Sequence, residues 1–128
     1  MQTTPAILEI ANHRCLIVDT AGPIVADIEG GSRLIEEAMG ERAQVIVVPA
    51  ARLDDAFFQL RTRLAGEILQ KAANYGFKFA VIGDISAYVA ASEALRDFVV
   101  ESNRRPSIFF YPNIAALEEK LTAPNQSV

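Results

Sequence analysis

The sequence predicts an α/β fold: one compact domain with a mostly parallel sheet of about five strands, one antiparallel edge strand and about four helices. Three observations carry this expectation. Short β-branched apolar runs have the length of buried strands, longer apolar patterns of helical period separate them, and Gly, Pro or Asn stands at nearly every change of period. The length of 128 residues suits one domain, and a hydrophobic content of 51% suffices for a core.

Residues 1–5 read as a flexible arm ahead of a single domain over 6–121. Ala6 to Ala11 is an apolar run that stops at Asn12-His13, and Arg14 to Asp19 resumes it, which predicts a hairpin. From Ile24 to Met39 the apolar residues recur at helical spacing, weakened by Gly30-Gly31, with Gly40 placed to end the helix in a left-handed conformation. Gln44 to Val48, ended by Pro49, is continuously apolar and reads as a strand buried on both faces, hence parallel. Leu53 to Tyr75 carries the longest helical pattern, starting near Asp54-Asp55 and ending at Gly76. Phe77 to Ile82 is a buried strand, Ser92 to Asn103 a helix capped by Ser92, and Ile108 to Tyr111 a strand closed by Pro112. Asn113 then caps a last helix through Leu121, and 122–128 reads as a flexible tail. The order is β-β-α-β-α-β-α-β-α, which right-handed crossovers convert into a mostly parallel sheet.

At 100° per residue, the long helix 54–75 places Phe57, Leu60, Leu64, Ala65, Ile68, Ala72 and Tyr75 on one arc toward the sheet, with Arg61 inside it. A guanidinium keeps its proton, so burial of Arg61 demands a carboxylate, for which Asp19, Asp84 and Glu101 are candidates. The alternative is a helix that starts after Leu60, which leaves Arg61 in a loop touching water. The opposite face carries Gln59, Thr62, Arg63, Gly66, Glu67, Gln70 and Asn74, with Lys71 at its edge. Such a face is ordinarily solvated, yet an interior glycine costs ~1 kcal/mol relative to alanine and often marks close approach of another backbone or a ligand.

Several chemistries are disfavoured. With 12 Lys and Arg against 16 Asp and Glu, net charge −4, no basic footprint for nucleic acid or anionic lipid emerges. The longest apolar runs, within 45–51 and 79–82, fall far short of the roughly 20 residues of a membrane helix. One Cys and one His exclude a disulfide framework and the standard zinc sites, and no secretory signal opens the chain, so a cytoplasmic location is expected. Cys15 reads as core, His13 lies in a turn away from any nucleophile, and neither glycine-rich nucleotide fingerprint occurs. No cofactor is expected. Around the carboxyl ends of the strands, Asp19, Thr20, Pro49, Arg52, Asp84, Ser86 and Tyr111 form a rim, the usual ligand side of open α/β sheets. Asp19 and Asp84 read as helix caps or partners of Arg61 rather than as a Mg²⁺ site, because nothing supplies further oxygen ligands.

The stretch FFQLRTRLAGEILQKAANYGFKFAVIGD, from Phe57 to Asp84, and ALRDFVVESNR, from Ala94 to Arg104, resemble the small bacterial proteins of the domain of unknown function 4180 family. That resemblance implies no activity and carries over no catalytic residue. The element order also resembles the STAS fold of anti-sigma-factor antagonists, which implies a phosphorylatable residue near Thr62. The Asp-Ser-Ser-Gly turn of that group is absent, and Leu60-Arg61-Thr62-Arg63 stands there instead, which speaks against phosphoregulation at Thr62.

Two functions remain in view. The first is a non-enzymatic regulatory or interaction module, as a homodimer or with a protein partner, using Arg61, Thr62, Arg63, Gly66, Glu67, Gln70, Lys71 and Asn74. The second is a small-molecule anion binder or modest enzyme with a polar pocket of Arg61, Asp84, Glu101 and Asn103, where arginine clamps the anion bidentately.

Overall fold

A computed structural model describes residues 6–122; the expected arm and all but the first residue of the expected tail lie outside them. The strands are β1 (Ala6–Ile10), β2 (His13–Ile17), β3 (Val45–Pro49), β4 (Lys78–Ile82) and β5 (Ile108–Tyr111), and the helices are α1 (Ile28–Gly40), α2 (Leu64–Asn74), α3 (Ser86–Ala91), α4 (Glu93–Arg104) and α5 (Ile114–Thr122). The sheet runs β1-β2-β3-β4-β5, antiparallel only between β1 and β2. Strand order follows chain order, so every crossover advances in one direction and its helix falls on one face. Accordingly α1, α2, α3 and α4 pack against the side of the sheet that carries Leu16, Ile46, Val48, Phe79 and Val81, while α5 covers Cys15, Val45, Val47, Ala80 and Phe109 on the other. Val45 to Val48 are all buried, as the β-branched run requires of a central strand.

The hairpin turn sits one residue earlier than expected, at Ala11-Asn12, both with positive φ (51° and 67°) between the paired Ile10 and His13. A two-residue connection with this twist needs left-handed backbone at both positions. α1 starts at Ile28 rather than Ile24, because Asp27 turns its carboxylate to the Gly30 amide at 2.8 Å and so caps the helix.

Gly40 is the last residue of α1, but it does not take the expected left-handed conformation. Arg42 takes that position at φ 58°, while the Arg42 and Ala43 amides bond back to Met39 and Ala38 at 3.1 and 2.9 Å. The same closure at α2 uses Gly76, with Gly76 and Phe77 amides bonded to Ala73 and Ala72 at 2.9 and 3.0 Å. A side chain in this conformation costs about 1 kcal/mol that glycine does not incur. Arg42→Gly is therefore expected to raise folding stability by about 0.5–1 kcal/mol in urea denaturation.

The expected long helix 54–75 is not continuous. α2 spans only Leu64–Asn74, preceded by 3₁₀ turns at Ala50–Arg52, Asp55–Phe58 and Leu60–Thr62. Phe57 and Phe58 both go into the core, 1% and 2% exposed, from a 3₁₀ turn that Asp54 caps rather than from the first turns of a long helix. Arg63, at φ 66°, resets the backbone, and the Thr62 hydroxyl accepts the Leu64 amide at 3.2 Å where α2 begins. Tyr75, expected on the buried arc, is 55% exposed, and Leu69 is buried in addition to the expected residues.

Candidate functional site

Asp54 opens the turn Asp55–Phe58 by accepting the Ala56 amide at 2.9 Å. Phe58 then stacks on Tyr88 of α3, with ring centroids 4.2 Å apart and planes inclined by 14°. The Tyr88 hydroxyl donates to the Asp55 carboxylate, a bond that pushes the phenol's pKa up and keeps it protonated. Between these turns and α3 lies a groove of about 470 Å³, walled by Phe58, Leu60, Ala87, Tyr88 and Ala91 and bordered by Arg61. It is an apolar trough with one cationic edge.

Arg61 is exposed, which corrects the expectation of a buried guanidinium and agrees with the alternative of a late helix start. Among the described residues it has no ion-pair partner: Asp19, Asp84 and Glu101 are engaged elsewhere. Asp19 accepts the Ala21 amide at 2.7 Å and Asp84 the Ser86 amide at 2.9 Å, each closing its own turn. The hydrogen bonds from Ser86 also hold the Asp84 carboxyl below its ordinary pKa. Glu101 pairs on the surface with Arg104 and Arg105 at 3.8 and 3.2 Å. Arg61 and the residues Asp84, Glu101 and Asn103 therefore do not share the polar pocket that the sequence suggested.

Asn103 instead closes the sheet. Phe79 donates to Ser107 and Gly83 to Tyr111, so alternation turns the Phe110 amide and carbonyl to the outer edge of β5. The Asn103 carboxamide meets both, accepting from the Phe110 amide at 2.7 Å and donating to its carbonyl at 2.9 Å, and so stands where another strand would pair. Asn103→Ala is expected to cost about 1–2 kcal/mol in urea denaturation and to raise light scattering on storage, because it reopens that edge.

On α2, Gly66, Glu67, Gln70 and Asn74 face solvent together, with Gln70 donating to Asn74 at 2.9 Å. A Cβ at Gly66 meets nothing within 4 Å, so no neighbour among the described residues accounts for that glycine. Lys71 leaves this face, because its ammonium donates to Ser32 of α1 at 2.7 Å. The Thr62 hydroxyl lies 2.6 Å from the Ala56 carbonyl and 2.8 Å from that of Gln59 and is committed to the start of α2. Arg63 is exposed beside it.

The buried guanidinium belongs to Arg52, which the sequence placed on the rim without a role. Arg52 is 7% exposed; its Nε donates to the Pro23 carbonyl at 2.6 Å and its Nη1 to the Asp19 carbonyl at 2.5 Å. The Arg52 carbonyl in turn accepts the Val25 amide at 2.6 Å, and Val25 bridges to Leu53, so the segment joining β2 to α1 is tied down from both sides. The backbone comes close enough to cover the guanidinium because residue 22 is glycine: a Cβ there would lie 2.5 Å from Arg52 Cζ. Only the tertiary arrangement reveals this role, since carbonyl partners leave no charge pattern in the sequence.

Cys15 is fully buried beneath α5, and that burial pushes its thiol pKa up, the setting of an unreactive core cysteine. The described residues contain no group of three His, Cys, Asp or Glu able to hold a metal, and no helix long and apolar enough to cross a membrane.

These features define a singly wound α/β domain. Its strand order never reverses, so it lacks the switch-point crevice in which doubly wound sheets hold ligands. The chain belongs to the family described as Domain of unknown function (DUF4180), whose model matches residues 10–121, from the end of β1 through Leu121 of α5. No curated protein and no solved structure matches it.

Proposed function

We propose that this protein is a regulatory or protein-interaction module without catalysis of its own, docking a partner through the segment 54–75 and the groove beside it. The observation that carries this reading is Arg61, exposed and without an ion-pair partner among the described residues, on the lip of a groove walled by Phe58, Leu60 and Tyr88. Aromatic walls with an exposed arginine beside them form the kind of anchor that dominates protein interfaces. The matching partner is a protein segment with an apolar side chain next to a carboxylate, which Arg61 binds in bidentate fashion. Arg63 adds a second exposed cation, and the open space over Gly66 lets a partner backbone approach α2.

The size of the groove, about 470 Å³, also favours a second reading. Small-molecule sites span roughly 300–1,000 Å³, and an amphipathic anion would use Arg61 in the same way. Arg61→Met serves both readings, because an exposed side chain without partners contributes little to folding. It is expected to change stability by less than about 0.5 kcal/mol while abolishing the complex in native mass spectrometry. Loss of a bound small-molecule mass instead of a protein would select the second reading. A folded variant that retains its partner would remove Arg61 from both.

A further inference from the structure

At the opposite end of the sheet, where β4 and β5 begin, lies a cavity of about 640 Å³ that shares no wall with the Arg61 groove. It is bounded by the ends of α1 and α2 and the first residues of β2 and β4. The chain has a net charge of −4, yet this lining holds Arg42, Lys78 and His13 and no carboxylate. Two large side chains of the same lining, Met39 and Tyr75, are left 49% and 55% exposed.

Helix-end electrostatics do not account for Arg42. A cation at a helix carboxyl terminus is normally stabilising, but at α1 that service comes from Arg14, whose Nε donates to the Glu41 carbonyl at 2.8 Å. The Arg42 guanidinium has no hydrogen bond or ion pair among the described residues, and its backbone occupies the left-handed position where glycine is least strained. Lys78 gives one hydrogen to the Pro106 carbonyl at 2.7 Å, which leaves its other two free. His13 Nδ1 donates to the Ala11 carbonyl at 2.8 Å, and its other ring nitrogen has no hydrogen-bond partner among the described residues. A strained position held by an arginine, in a cationic cavity with an apolar wall, is the kind of local cost that function explains.

We propose that this cavity binds a small organic anion, whose phosphate or carboxylate lies between Arg42 and Lys78 and whose flat apolar body rests on Tyr75 and Met39. The site shares no residue with the Arg61 groove and stands or falls separately from it.

The test is a titration of the full chain with phenyl phosphate at constant ionic strength, followed by amide NMR, with inorganic phosphate as the comparison. Saturable shifts confined to Arg42, Gln44, Gly76 and Lys78 are expected, with phenyl phosphate the tighter ligand. Arg42→Gly relieves the backbone and keeps the protein folded, yet should weaken binding about tenfold or more, the loss of one charge-assisted contact. Lys78→Met should weaken it similarly. Shifts that do not saturate, that centre on Arg61 and Arg63, or that persist unchanged in both variants would overturn the proposal.

Discussion

Arg52→Met is expected to lower folding stability by about 2–4 kcal/mol, since two part-buried carbonyls lose a charged donor worth roughly 1–3 kcal/mol each. Methionine keeps most of the apolar stem, so the loss reports the guanidinium rather than a cavity. The freed carbonyls are those of Asp19 and Pro23, and the segment they anchor runs from the end of β2 to the cap of α1 at Asp27. Faster amide exchange at Ala21 and Val25 should accompany the drop in urea midpoint. Arg52→Lys should recover only part of it, because one ammonium does not span two carbonyls as a planar fork does. The near-neutral outcome expected for Arg61→Met is the control. Were the effects reversed, the buried guanidinium would be Arg61, as the helical arc first suggested.

Gly31→Leu should be equally damaging. A Cβ at residue 31 would stand 2.6 Å from Ile68 Cγ1, 2.8 Å from Cδ1 and 3.1 Å from Cγ2, and Ile68 is itself buried in the core and unable to swing aside. Helices α1 and α2 approach closely here because residue 31 has no side chain, and the Lys71 to Ser32 bond at 2.7 Å depends on that approach. Forcing a branched side chain into such a contact costs about 3 kcal/mol or more, and Ile68→Ala in the same chain should restore a substantial part by a double-mutant cycle. Gly66→Ala, placed over open space, is expected to stabilise by up to about 1 kcal/mol. The two glycines look alike in the sequence, yet among the described residues a neighbour crowds Gly31 and none crowds Gly66.

The order of strands and helices was legible because the β-branched run at Val45–Val48 and the apolar strands after Gly76 and Pro106 have no other way to bury their surface. Helical period misleads on one segment. Phe57, Leu64 and Ile68 follow a 3.6-residue repeat, but Phe57 lies in a 3₁₀ turn, and the left-handed Arg63 separates that turn from α2. Arg61 therefore faces water, and the groove beside it is formed with Tyr88 on α3, a helix that the sequence reading passed over. The left-handed residue that follows α1 is Arg42 rather than Gly40, and the sequence hides it because glycine is the usual occupant of such a position and one stands two residues earlier. The sequence places Asn103 in a polar pocket with Arg61, Asp84 and Glu101, whereas its bonds to Phe110 follow from which strand lies at the sheet edge.

The central claim, a partner docked at Arg61, is tested most directly by native mass spectrometry of the untagged protein, purified gently from its own host beside Arg61→Met. The wild-type chain is expected bound to a second protein chain, or to a second copy of itself, and the folded variant as a bare monomer. A bare wild-type monomer, or an assembly that survives Arg61→Met intact, would contradict it.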